Sequence, residues 1–383
     1  IRAIEHGCQT AVMAPTELLA EQHQLNFQQW LEPLGIQVAL LTGQMTAKSQ
    51  RETLQRIASG EVQVIIGTHA LFQDKVVFHK LALAIIDEQH RFGVHQRMAL
   101  QHKGAYPHQL VMTATPIPRT LTMTLYADMD VSVIDELPEG RQPITTHTAA
   151  QPKRPELIER LRKILAQGQQ AYWVCTLIEP SEEIEALSAE EAFDLLRRDL
   201  PESRVALLHG RMKGDEKVEV MRAFKAGEYQ LLVATTVVEV GVDVPNATQM
   251  FIENAERLGL AQLHQLRGRV GRGSKASRCF LLFKPGVSQA GQHRLNALRQ
   301  SQDGFYLAEQ DLKLRGPGDI LGTRQSGEQS FKIADLSEHA HLMPRVLQRC
   351  ETMMNAAPNS DDGIYLTGLL NTWAASDNAH LSV

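Results

Sequence analysis

Asp87, Glu88, Gln89 and His90 follow directly on the apolar run Leu81-Ala82-Leu83-Ala84-Ile85-Ile86. Two adjacent carboxylates where a buried strand surfaces can share the work of nucleotide hydrolysis. One holds Mg²⁺, usually through water, and the other orients or deprotonates the water that attacks a γ-phosphate. Asp87 suits the first role and Glu88 the second. An acidic pair at a strand end also serves as a helix start or a solvated edge, so this tetrad gains meaning only from the residues that accompany it.

Those companions recur at successive strand ends. Pro15-Thr16 opens a helical stretch that Thr16 can cap, turning free N–H groups toward a phosphate. Thr42-Gly43, Gly67-Thr68, His209-Gly210 and Thr235-Thr236 repeat the pattern. Together they would form a row of backbone and hydroxyl donors suited to a nucleic-acid backbone and indifferent to its sequence. Thr113 and Thr115 stand at a further strand end, where their hydroxyls could bond back to Glu88 or His90 and sense what the carboxylates hold. Gly241-Val242-Asp243 and then Gln265-Leu266-Arg267-Gly268-Arg269-Val270-Gly271-Arg272 close the series. Arg269 and Arg272, three apart, lie on one side of a helix or turn, and guanidinium groups delivered to phosphates held elsewhere act as arginine fingers. Gly268 to Gly273 runs G-x-x-G-x-G and is loaded with arginine, which argues against a dinucleotide loop.

The elements that must carry these clusters alternate. Short β-rich runs at 10–14, 37–41, 62–66, 81–86 and 109–113 are separated by amphipathic helices at 17–34 and 47–59, the pattern of a parallel sheet wrapped by helices. Prolines 138, 143, 152 and 155 then mark a linker. A second alternation has strands at 171–176, 205–208, 230–234, 249–252 and 278–283, with helices at 156–166, 190–198 and 213–226. Beyond Gly291 the strand signal ends, and helices at 307–314 and 336–354 finish the chain. The expected division is α/β: a first unit at 1–127, a linker at 128–155, a second unit at 156–290 and a helical extension at 291–383.

Bulk properties bound the rest. With 383 residues, 43% hydrophobic and 22% charged, the chain needs more than one core. No run approaches the ~18 to 20 apolar residues of a membrane span, and no secretory leader opens it, so no membrane contact and a cytoplasmic location are expected. Cys8, Cys175, Cys279 and Cys350 are too dispersed for a zinc site or a disulfide framework. A net charge of −5 confines nucleic-acid binding to patches such as Arg257 to Arg278. Residue 1 is Ile, and 1–7 reads as the tail of a helix that begins upstream, so a segment of a longer chain is expected.

Taken in order, 87–93, 113–121, 233–247 and 265–273 resemble the motifs of superfamily 2 helicases, and 312–327 resembles the helical-hairpin translocation motif shared by branched-DNA helicases and the transcription-repair coupling factor, with details closer to the former. The resemblance implies two tandem RecA-like parallel-sheet domains with a helical C-terminal appendage, and ATP and Mg²⁺ as cofactors. It implies that Asp87 and Glu88 coordinate the metal and activate water, with Gln89 and His90 coupling the site to the next domain. Asp243, with Gly241 and Gln265, would bind the nucleotide, and Arg269 and Arg272 would reach the γ-phosphate. Pro15, Thr16, Gly43, Gly67, Thr68, His209, Gly210, Thr235 and Thr236 would lie along DNA. Thr113, Thr115, Arg315, Arg324 and Gln325 would couple cleft closure to a pull on the duplex.

The expected function is an ATP-driven translocase acting on branched duplex DNA, at stalled forks and Holliday junctions, in recombination and repair. It would act as a monomer, with a single-strand-binding protein as a further partner. The family's phosphate loop, G-x-x-x-x-G-K-[ST], would sit just upstream of 1–7, and no such stretch occurs in the 383 residues. On this reading the segment alone is inactive. Two alternatives are a non-catalytic DNA-binding module on a degenerate helicase fold and a transcription-repair coupling translocase.

Overall fold

A computed structural model describes residues 1–88, 103–104, 106–113, 130–134, 136, 140–176, 182–235, 243–315, 339 and 342–374. The chain divides into one unit of Ile1–Pro116 with Glu136–Leu307, and another of Ile117–Asp135 with Ala308–Val383.

The first unit contains two parallel sheets. In the first, β1 (Gln9–Met13), β2 (Val38–Leu41), β3 (Val64–Gly67), β4 (Leu81–Ile86) and β5 (His108–Val111) lie in the order β2-β3-β1-β4-β5. Alternation along β1 sends Ala11 and Met13 to one face, with Leu41 and Ile65, and Val12 to the other, with Leu19, Val38 and Ile66. Burial on both faces is why these strands read as unbroken apolar runs. After α1 (Arg2–Glu5), the flanking helices are α2 (Glu17–Leu31), which Thr16 caps by accepting from the Leu19 amide, and α3 (Ala47–Ala58), which Thr46 caps from Ser49. Gly67 pairs with Leu41, and a Cβ there would lie 2.3 Å from the Leu41 carbonyl oxygen, so only glycine closes this ladder.

The second sheet repeats the first. Its strands are β6 (Thr145–Ala150), β7 (Gln170–Val174), β8 (Val205–Leu208), β9 (Leu231–Ala234), β10 (Ala247–Ile252) and β11 (Arg278–Phe283), ordered β6-β11-β10-β7-β9-β8. Read from β8 to β11 this is the first sheet's order, with β6 added at the edge. Side chains repeat too. Gln9 donates to the Ile57 and Val62 carbonyls under β1, and Gln170 donates to those of Phe224 and Tyr229 under β7. Trp173, Phe251 and Phe280 stack across three strands with centroids 4.9 Å apart, each pair adding roughly 0.5–1.5 kcal/mol beyond its buried area. Helices α4 (Arg154–Ala166), α5 (Glu182–Asp199), α6 (Gly214–Lys225), α7 (Leu260–Arg267) and α8 (Gln289–Gln300) accompany this sheet. They are followed by α9 (Gly304–Arg315), α10 (Met343–Met354) and α11 (Asp361–Ala374).

Two boundaries differ from those expected. Residues 145–150, assigned to the linker 128–155, form β6 and pair along their whole length with β11. Helix α8, assigned to the extension beginning at 291, lies within the first unit and buries Leu295 and Leu298. Among the described residues no helix is long and apolar enough to cross a membrane.

Candidate functional site

In both sheets the chain reverses its direction of spread beside the first strand, between β1 and β4 and between β7 and β10. Open parallel sheets bind ligands in the crevice outside the carboxyl ends of strands at such a switch point. Asp87 stands there: its amide donates to the Met13 carbonyl, extending the β1–β4 ladder by one rung. Pro15 and Thr16 stand at the end of β1. Asp87 Oδ2 lies 2.9 Å from His23 Nε2 on α2, with the two side chains 20% and 22% exposed. Glu88 has φ +54°, a left-handed backbone that costs a non-glycine residue about 1–2 kcal/mol.

The internal repeat supplies a control for this corner. Glu253 occupies in the second sheet the place of Asp87, donating its amide to the Val174 carbonyl, and Asn254, with φ +47°, occupies that of Glu88. Glu253 Oε1 already accepts from Arg154 Nε at 2.8 Å and Trp173 Nε1 at 2.9 Å, in a pair only 13% and 20% exposed. The second corner thus has its carboxylate committed and no second acid. Asn tolerates the left-handed region, whereas Glu pays for it. Backbone strain of this kind collects at functional positions.

Asp87 and Glu88 offer hard oxygen donors of the kind Mg²⁺ prefers. Among the described residues no three or more His, Cys, Asp or Glu cluster to cage a metal, so a cation held here would complete its shell with water and nucleotide oxygens.

The arginine turn leaves α7. Arg272 Nη1 lies 3.6 Å from Asp243 Oδ1, joining two residues that the sequence reading assigned to the same nucleotide. Arg269 is buried, 7% exposed. Beneath them is Tyr172 of β7, whose phenol burial raises well above the usual range, against the opposing pull of Arg269 and Arg272. Arg141 Nε donates to the Gly271 carbonyl at 3.2 Å, and burial and the neighbouring Arg272 both lower its pKa. Tyr172 and Arg141 were not foreseen.

Arg267 differs from its neighbours. Its guanidinium is fully buried and donates to the carbonyls of Leu298 and Ser301 at 2.6 and 2.8 Å and to the Thr146 hydroxyl, tying α7 to α8 and β6. Arg267 Nη2 also faces His264 Nδ1 at 2.9 Å, and burial together with this cation pushes the imidazole down to about 4. An unfolded chain would protonate His264 near pH 6.5. The unfolded state therefore binds the extra proton between pH 6.5 and 4. Stability contributed by the neutral ring is complete above that window and is lost as pH falls through it, up to about 3 kcal/mol. Urea midpoints of the protein and of His264→Gln should converge between pH 7 and 4.5. Parallel curves would remove His264 as the cause.

The expected nucleic-acid row is only partly at the surface. Gly43 is exposed, and Glu17 Oε1 accepts from the next amide, Gln44, at 3.2 Å. Gly210 holds Lys217 Nζ on its carbonyl, and His209, 13% exposed, faces Glu190 at 3.7 Å. By contrast, Gly67, Thr68 and Thr235, at the ends of β3 and β9, are buried. Gln265 is likewise buried on α7. Thr113 is exposed at the end of β5, and Arg315 ends α9. Gln89, His90, Thr115, Thr236, Gly241, Arg324, Gln325 and the Arg315 side chain lie outside the described residues. Across the two sheets, Arg222 on α6 pairs with Glu21 on α2 at 2.7 Å.

Comparison with known proteins agrees with this architecture. The DEAD/DEAH box helicase family matches residues 1–124, the helicase conserved C-terminal domain 156–274, and the C-terminal part of domain 3 of ATP-dependent DNA helicase RecG 301–366. The ATP-dependent DNA helicase RecG of Escherichia coli O157:H7 is 60% identical over 351 residues, covering 90% of this chain and 51% of that protein. Its counterpart in Bacillus subtilis is 50% identical, covering 87% and 49%. A structure of RecG bound to a three-way DNA junction superposes with a TM-score of 0.70 at 43% identity, covering 88% of this chain and 44% of that one. The chain spans about half the length of the relatives it matches. Over the stretch it shares with them, the chain is similar to the RecG DNA helicases.

Proposed function

We propose that these residues form the motor of an ATP-driven translocase that acts on branched duplex DNA in recombination and repair. The observation that carries the reading is the Asp87–Glu88 pair at the β1/β4 switch point, its Glu88 held in a strained backbone and its counterpart in the other sheet disarmed. Mg²⁺ bound with ATP would supply charge neutralisation on the phosphates, and Asp87 and Glu88 would hold it. Glu88 takes the proton of the attacking water. Asp243 contacts the nucleotide, and Arg269 and Arg272 meet charge that develops on the transferred phosphoryl group. The expected units 1–127 and 156–290, the second enlarged by β6 and α8, are the two motor domains in this proposal, and Arg315, Arg324 and Gln325 transmit closure to the duplex. A monomer as the working unit and a single-strand-binding protein as second partner belong to the same proposal.

Branched-DNA binding is supported by the relative solved on a three-way junction. In a chain extended to the length of its relatives, ATP hydrolysis should be stimulated more by a three-way junction than by linear duplex of equal length. Equal stimulation would overturn the substrate assignment. Residues 1–383, which contain no G-x-x-x-x-G-K-[ST], should show no DNA-stimulated hydrolysis by themselves, and measurable turnover would refute that part.

A further inference from the structure

We propose that His23 is a positioning residue for Asp87, fixing one carboxylate oxygen so that the other is left to a hydrated divalent cation; this rests on the nucleotide-hydrolysing reading of the β1/β4 corner. Helix α2 starts where β1 ends, and His23 follows the capping Thr16 by seven residues and buried Ala20 by three, which places all three on the face toward the sheet. Among the described residues, His23 Nε2 contacts Asp87 Oδ2, at 2.9 Å. A carboxylate oxygen only accepts, so Nε2 carries the hydrogen. The ring is held from behind by Phe27, edge-on at 6.4 Å, and Phe27 in turn meets Trp30 at 5.7 Å.

The repeated corner shows why this partner suits a metal-binding carboxylate. Glu253 is bound by the guanidinium of Arg154, a permanent positive charge that would repel a divalent cation. An imidazole donating one N–H orients Asp87 without placing a permanent charge on it. Carboxylates that ligate metals are commonly fixed by such an outer hydrogen bond, and losing it costs roughly 10- to 100-fold in metal affinity.

The test uses a chain extended to the length of its relatives, with Mn²⁺ binding in the presence of ADP followed by electron paramagnetic resonance. His23→Leu should weaken Mn²⁺ binding roughly 10- to 100-fold and lower kcat with little change in KM for ATP. His23→Gln, whose amide can still donate, should recover most of the loss. The urea midpoint should stay put in both. Asp87→Asn is measured alongside. If Asp87→Asn leaves Mn²⁺ affinity unchanged, the nucleotide-site reading itself falls. If it weakens Mn²⁺ and His23→Leu does not, the His23 proposal falls alone. A loss in His23→Leu that tracks unfolding, or that Gln does not recover, makes His23 a packing residue and overturns the proposal.

Discussion

Glu88→Gln should lower DNA-stimulated ATP turnover by roughly 10²- to 10⁴-fold, the contribution of a well-placed general base, while nucleotide binding stays within a fewfold. The amide keeps the shape of the carboxylate, exchanges one accepting oxygen for a donating NH2, and removes its ability to accept a proton. The backbone sharpens the test. Gln bears the same left-handed strain at φ +54° as Glu, so the fold is unperturbed by the exchange and the urea midpoint should not move. Glu88→Gly should also lose turnover, yet gain up to about 1 kcal/mol of stability, because glycine occupies that region without steric cost. A gain in stability with a loss of activity is the signature of strain kept for function. Full turnover by Glu88→Gln, with single-turnover rates and fluorescent-nucleotide binding both normal, would reject Glu88 as the base.

The tandem sheets were legible because their strands are buried on both faces. Gln-Ala-Tyr-Trp-Val at β7 and Leu-Leu-Val-Ala at β9 have every residue buried and no charged residue to mark an exposed face. Strand β6 escaped because it is an edge: Thr145 is exposed, and Thr-Thr-His-Thr carries little of the apolar signal that marked the others. Its identity depends on β11, more than 120 residues later, and local composition cannot report such a pairing. The same long range hid the place of α8, which Arg267 secures by donating to the Leu298 and Ser301 carbonyls.

Site residues divide along the same line. Asp87, Glu88, Asp243 and Arg272 sit in short polar clusters at strand ends or on a glycine-rich turn, and each cluster announces itself locally. His23 does not, since nothing in Glu-Gln-His-Gln distinguishes it from a solvated helix face until Asp87 is brought within 2.9 Å of it. A helical phase argument from Thr16 and Ala20 could have placed it on the sheet side without naming its partner. Gly67, Thr68 and Thr235 show the opposite failure. Small polar residues after strands suggest an exposed donor row, yet close strand packing can need the same residue types, as the Leu41 carbonyl does at Gly67.

Arg272→Ala and Arg269→Ala should each reduce turnover by roughly 10³- to 10⁵-fold, the scale of losing an arginine finger. Stability separates them. Arg272, 29% exposed and 3.6 Å from Asp243, is a weak solvent-screened pair in this structure, so its removal should leave the urea midpoint nearly unchanged. Arg269 is buried beside the Tyr172 phenol, and truncating it removes packing and a charge from a site that the fold has been built around, so a loss of stability should accompany the loss of rate. Arg272→Lys keeps the charge but cannot reproduce a planar fork of donors, and should recover little of the rate. The loose contact with Asp243 has its own consequence. A finger that must meet a phosphate only when the cleft closes cannot be held tightly beforehand, and 3.6 Å is outside hydrogen-bond range. Asp243→Asn should therefore cost nucleotide affinity more than it costs kcat, whereas the arginine variants should do the reverse. Turnover within tenfold of normal in both arginine variants would leave the Asp87–Glu88 corner without its expected complement.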